Sequence, residues 1–307
     1  MIATGTGMIV LMAKSKPVYE LDRERSKQRA RDLQAYLNTR VAKTRRQSMV
    51  CKTYDQCKAS AKKSSFHEAQ GHSVGRCYDL STTTGRPFRV LVVPMEAGGG
   101  ATFFSVPERT NEIRKSGFLP IEKRFPRDEA RNPHMKGVTL ALRLALGLPY
   151  ADRHGKPFTE PEEEEVSFTD GSTDHLFECF AMANLLLCSA VAKKGGQAGR
   201  GTPVMRNNCA RHLKKTIGIL QPTLVISQGW GLVGTLCDSL GVTREIPLDL
   251  DKCYLAECEL NGNRFVWVAL YHPTRFWSTI NQPYFKETVV PAITVARERA
   301  LKLAPTA

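Results

Sequence analysis

Four short apolar runs in this chain each stop at a glycine, asparagine or His-Pro cluster, and helical patterns lie between them. The clearest run is FRVLVVPMEAGGG at 88–100, where valine-rich residues lead straight into glycines. Such a run has no polar face, so it predicts a strand buried on both sides, as in a parallel sheet. The second half of HLFECFAMANLLLCS, the run in QPTLVISQGWG, and RFVWVALYHPTRFW at 264–277 repeat the theme. Between them, KGVTLALRLALGL at 136–148 has leucines on one helical face and a Gly-Leu-Pro stop. NNCARHLKKTIGIL sets Cys209, Leu213, Ile217 and Leu220 on one helical face behind an asparagine cap, and a closing helix is expected at about 285–303. Strands alternating with helices argue for the α/β class: a doubly wound sheet of about four mainly parallel strands flanked by helices. Ligands of such sheets lie beyond the carboxyl ends of the strands, where Glu96, Asn184, Gly229 and His272 fall.

Charge narrows the partners. Lys+Arg is 44 against 30 Asp+Glu, a formal net charge of +14. That surplus favours a polyanionic partner, usually nucleic acid. Part of it sits in residues 18–49, where Leu33, Tyr36, Leu37 and Val41 recur at helical spacing. This reads as a charged helix with one apolar stripe, either solvated or laid on a phosphate backbone. The expected organisation is a basic helical N-terminal extension over 1–50 and one larger domain over 51–307. No apolar run reaches the roughly 18 residues of a membrane span, and GMIVLM is too short and poorly flanked for a signal peptide. Nine cysteines without a secretory signal suggest a reducing, cytoplasmic setting, with thiols buried or bound to metal. A monomer is expected.

Asn184 raises a sharper question, because it stands inside FAMANLLLCS. An unpaired amide among apolar neighbours costs roughly 1–3 kcal/mol, so either the fold or a ligand must satisfy it. Three features line up here: the loop Met95-Glu96-Ala97-Gly98, the strand end at Asn184, and His272-Pro273-Thr274.

With these features the chain resembles the uracil-DNA glycosylase superfamily. That family has a Gly-Glu-x-Pro-Gly motif, a strand ending in Asn, and a late His-Pro-Ser or His-Pro-Ala motif; here stand PMEAGGG, MANLLLC and YHPTRFW. The likeness extends to the iron–sulfur branch, with Cys188 four residues after Asn184, then Pro203, Cys209, Leu213 and LQPTLVISQG. It covers about residues 88–300, with a partial match around Cys51 and Cys57. Three departures stand out. Ala97 replaces the family's proline, the segment after Cys188 lacks Pro-Pro-Asn, and CKTYDQC replaces a Cys-x-x-Cys pair.

The resemblance implies a monofunctional DNA glycosylase that flips out a base and hydrolyses its glycosidic bond, leaving an abasic site. The substrate would be uracil or a bulkier pyrimidine, such as the glucosylated hydroxymethylcytosine of phage DNA. Asn184 would read the base edge, since a carboxamide both donates and accepts. His272 would stabilise charge on the departing base, and Glu96 would act on water or the cationic sugar. Gly98 would let the base approach the backbone, and Phe103 or Phe104 would stack on it. Arg275, Phe276 and Trp277 would touch DNA. Cys51, Cys57, Cys188 and Cys209 would hold a 4Fe-4S cluster, with Cys77 as the substitute for Cys57. Each of these residues also has a plain structural reading, and a non-catalytic nucleic-acid-binding protein on the same fold is the alternative function.

Overall fold

The computed structural model describes residues 16–43, 48–61, 64–68, 71–95, 105–117, 132–152, 154–155, 164–192 and 201–303. Its centre is a seven-stranded sheet. In chain order the strands are β1 (Ser73–Val74), β2 (Val90–Pro94), β3 (Phe180–Met182), β4 (Leu224–Gln228), β5 (Val242–Glu245), β6 (Tyr254–Leu260) and β7 (Asn263–Leu270). Their spatial order is β5-β6-β7-β4-β2-β3-β1. The inner strands β7, β4, β2 and β3 are parallel to one another. β1, β6 and β5 add on antiparallel at the two edges. The fold is therefore mixed α/β around a mixed sheet.

Side chains of the parallel strands alternate between two cores. Val90, Val92, Leu224, Ile226, Val266 and Val268 join one cluster, and Leu91, Val93, Val225 and Trp267 join the other. This two-sided burial is why the runs read as continuously apolar. The first face is covered by α4 (Pro133–Ala145) and α7 (Val290–Leu303) through Met135, Val138, Ala141, Ile293 and Ala296. The second face is covered by α1 (Arg23–Arg40), α2 (Tyr54–Ser60) and α5 (Pro203–Leu220) through Leu33, Leu37, Cys57, Leu213 and Ile217. Two further helices matter below, α3 (Val106–Gly117) and the short α6 (Pro273–Phe276).

Several boundaries differ from the sequence expectation for local reasons. α5 starts at Pro203, because the Thr202 side chain accepts from the Met205 amide; the expected asparagine cap at 207–208 lies inside the helix. α4 likewise starts earlier, capped by Asn132. The strand through Asn184 is short, ending at Met182, and Leu176–Glu178 before it is a 3-10 turn. The β6–β7 hairpin was not anticipated; its turn, Asn261-Gly262, has φ values of 53° and 77°.

Residues 18–42, most of the described part of the expected extension, pack onto the rest of the chain. Val18–Leu21 joins a second, five-stranded sheet between Glu165–Phe168 and Leu80–Thr82. The buried Tyr19 donates to the Leu146 carbonyl at 2.8 Å. Among the described residues no helix is long and apolar enough to cross a membrane.

Candidate functional site

The carboxyl ends of the parallel strands form one row. Register sets Gln228 beside Pro94 on one side and Leu270 on the other. Across Pro94, the ladder continues past β3: Ala183 donates to Val92 O at 3.0 Å and Leu185 to Pro94 O at 2.9 Å, so Asn184 lies beside Pro94. Because strand side chains alternate, Gln228 shares the face of Leu224 and Ile226, and Asn184 that of Phe180 and Met182. The row thus reads Leu270, Gln228, Pro94, Asn184. Its two buried carboxamides flank a proline and are two strand spacings apart, about 10 Å at the backbone.

His272 follows β7 beside this row and is held against α4. A Cβ on Gly137 would lie 2.1 Å from Pro273 Cβ, so the contact exists because residue 137 has no side chain. This docking stacks His134 on His272, with ring centroids 5.3 Å apart and planes at 23°. His272 Nδ1 accepts the Thr274 amide at 3.3 Å. The neutral ring therefore carries its proton on Nε2, which stays available to donate. His272 is exposed as a residue, yet partial desolvation of its ring lowers its pKa and extends the range of the neutral form.

His134 is more strongly affected. Burial, then His272 and Arg109, pull its pKa down to about 3, while the nearby Gln228 side chain opposes them. No hydrogen bond of ordinary geometry forms between the two. His134 Nε2 and both amide atoms of Gln228 are buried without partners.

Beyond Pro273 the expected DNA contacts separate. Arg275 is exposed, 5.5 Å over the Phe276 ring, and Phe276 stacks on Tyr271 at 4.2 Å. Trp277 is a correction: it is fully buried and its indole donates to the Tyr271 carbonyl at 2.6 Å, so it braces the loop and cannot reach a ligand. Glu96, Gly98, Phe103 and Phe104 lie outside the described residues.

On the opposite face, Cys51, Cys57, Cys188 and Cys209 come together where α2 meets α5. Burial, then Cys209, Cys57 and Cys51, raise the Cys188 pKa. Burial, with Cys57 and Cys51, pushes Cys209 up to about 12, against a hydrogen bond from the Leu187 backbone. Cys51 differs. Burial raises it, but hydrogen bonds from His212 and Thr53 outweigh burial and bring it to about 6. Cys57 Sγ lies 3.5 Å from Asn208 Nδ2. Cys77 is elsewhere, 3.2 Å from Asp174 in the other core, so it is no substitute for Cys57. Among the described residues no three His, Cys, Asp or Glu side chains converge on one metal ion.

No protein-family model and no curated protein matches this chain. The assignment therefore rests on residues and geometry. Sequence reasoning missed His134 and Gln228. His134 shows no motif, and Gln228 reads as the end of an apolar strand. The available signal was its position, since the last residue of a buried strand whose face is otherwise aliphatic is polar.

Proposed function

We propose that the protein is a monofunctional DNA glycosylase on a uracil-DNA glycosylase-like, doubly wound fold. It turns a uracil or modified pyrimidine out of DNA and hydrolyses the bond to C1′. The observation that carries this reading is His272, a ring with an available Nε2–H at the same strand ends as Asn184 and Gln228. As the glycosidic bond breaks, its electron pair leaves with the base and charge gathers on the pyrimidine carbonyl oxygen. The His272 N–H donates there without giving up its proton. Asn184 offers N–H and C=O groups to the base edge. Water attacks C1′ and passes its proton to Glu96, which follows Pro94 closely in sequence.

The thiols of the cysteine group lie near enough to influence one another's ionisation, and thiolates are the ligands that a 4Fe-4S cluster takes. Cys51, Cys57, Cys188 and Cys209 would hold it, and its chemistry would be structural, a cross-link between the 51–57 segment and the core. Arg275, Phe276 and the exposed Arg25, Lys27, Arg31 and Arg40 of α1 supply cationic and aromatic groups for DNA.

The experiment is single-turnover excision on oligonucleotides carrying uracil, hydroxymethylcytosine or its glucosylated form, read as alkali-labile abasic sites. Wild-type protein should release at least one base. His272→Ala should slow release by about 100-fold or more, as for loss of an oxyanion-type donor. A folded His272→Ala protein that excises at the wild-type rate would remove His272 from the mechanism. Iron and sulfide analysis of anaerobically purified protein tests the cluster.

A further inference from the structure

The glycosylase reading uses one carboxamide of the row, Asn184. Gln228 is fully buried, ends a central strand, and leaves both Oε1 and Nε2 without partners. His134 Nε2, next to it, is also shielded and unpartnered. Leaving three polar atoms in that state is costly unless something enters to satisfy them. Pro94, between the carboxamides, has no hydrogen-bonding side chain. A single pyrimidine ring held by Asn184 spans only part of the roughly 10 Å to Gln228.

We propose that Gln228 and His134 form a second reading edge, one that accepts a neutral, hydroxyl-bearing substituent on the extruded base. This rests on the glycosylase reading and sharpens its substrate class. The chemistry follows from the groups. Gln228 both donates and accepts, and His134 adds one ring nitrogen. A hydroxyl matches that mixture and can replace a water there without loss of hydrogen bonds. A plain ring leaves the same atoms unpaired, which sites of this kind reject strongly. A carboxylate or phosphate fits less well, since neither reading group carries charge. Arg109, whose charge His134 feels, is already paired with Glu112.

The test uses the protein as purified and two variants, Gln228→Leu and His134→Phe. The first removes the orphan amide, and the second keeps an aromatic ring against His272 while removing Nε2. Single-turnover rates on DNA carrying glucosylated or free hydroxymethylcytosine are divided by the rate on uracil. Each variant should lower that ratio about tenfold or more, while Gln228→Leu melts no lower than wild type. An unchanged ratio in both variants overturns the proposal, whatever happens to absolute rates. If wild type excises no base, the glycosylase reading fails and the edge is judged by thermal shift with 5-hydroxymethyl-2′-deoxycytidine against 2′-deoxycytidine. A larger shift with the hydroxymethyl nucleoside that disappears in Gln228→Leu supports the edge. Equal shifts, or none, overturn it.

Discussion

Two buried polar regions of this molecule are treated in opposite ways. Around Asp79 the charged groups are answered, and only the Tyr78 hydroxyl beside them is left without a partner. Arg29 Nε donates to both carboxylate oxygens at 3.0 and 2.7 Å, and its other nitrogens reach Ile219 O at 2.6 Å and Gln221 Oε1 at 3.1 Å. The Asp79 amide donates to Ser26 Oγ, and Arg89 stands 3.6 Å from the same carboxylate. Around Gln228 and His134, apart from their own near approach, the amide and the ring Nε2 find no partner of ordinary geometry. Both regions belong to one sequence, so the contrast teaches where the fold spends polar groups on architecture and where it holds them ready. Arg29 and Asp79 tie α1 to the start of α5's exit turn; the Gln228 amide and His134 Nε2 make no such tie.

The largest expected effect breaks the answered side. Asp79→Ala strands the buried Arg29 guanidinium and should cost about 3–5 kcal/mol in urea unfolding. A loss below about 1 kcal/mol would mean that this network is no clamp. A middle-sized effect concerns acid. His72 is buried with both ring nitrogens unpartnered, and burial, then His212 and Arg109, lower its pKa to about 3, as burial does for His134. Unfolded histidine titrates near 6.5. Below that pH the unfolded chain takes up protons that the native rings refuse, so stability falls as pH falls. Each ring should contribute about 1.4 kcal/mol per pH unit between about 6.5 and 3. Urea midpoints at pH 7 and pH 5 check this, and His134→Phe should flatten the dependence. Equal midpoints for wild type at the two pH values would show that the rings are not held neutral. The smallest effect returns to the answered side. Ser26→Ala removes the acceptor of the Asp79 amide and should cost about 1 kcal/mol by the same measurement.

Much of the framework was legible because local chemistry dictates it. The valine run at 90–94, the apolar strand at 224–228 and the run into His272 are buried on both faces, and that burial is written as unbroken hydrophobicity. Cys51, Cys57, Cys188 and Cys209 lie near one another, close enough that their thiols affect each other's ionisation. Other features were visible but overlooked. Asn261-Gly262 between Cys258-Glu259-Leu260 and Arg264-Phe265-Val266 is a hairpin signal, and Thr202-Pro203 is a better helix start than Asn207-Asn208. What no local rule could supply is register. Gln228 meets Asn184 across Pro94 because three strands align, and His134 meets His272 because Gly137 admits Pro273. Trp277 misled for the same reason, since exposure is decided by what packs above a residue.

The row at the strand ends also sets a timetable. Its members come from four strands widely separated along the chain, and its histidine lies near the end. A ribosome that has released the first two parallel strands has made half of this row. On the proposed reading, the site is complete only once β7 docks beside β4 and residue 272 is in place. Nascent chains would then lack the proposed donor until the last parallel strand has docked.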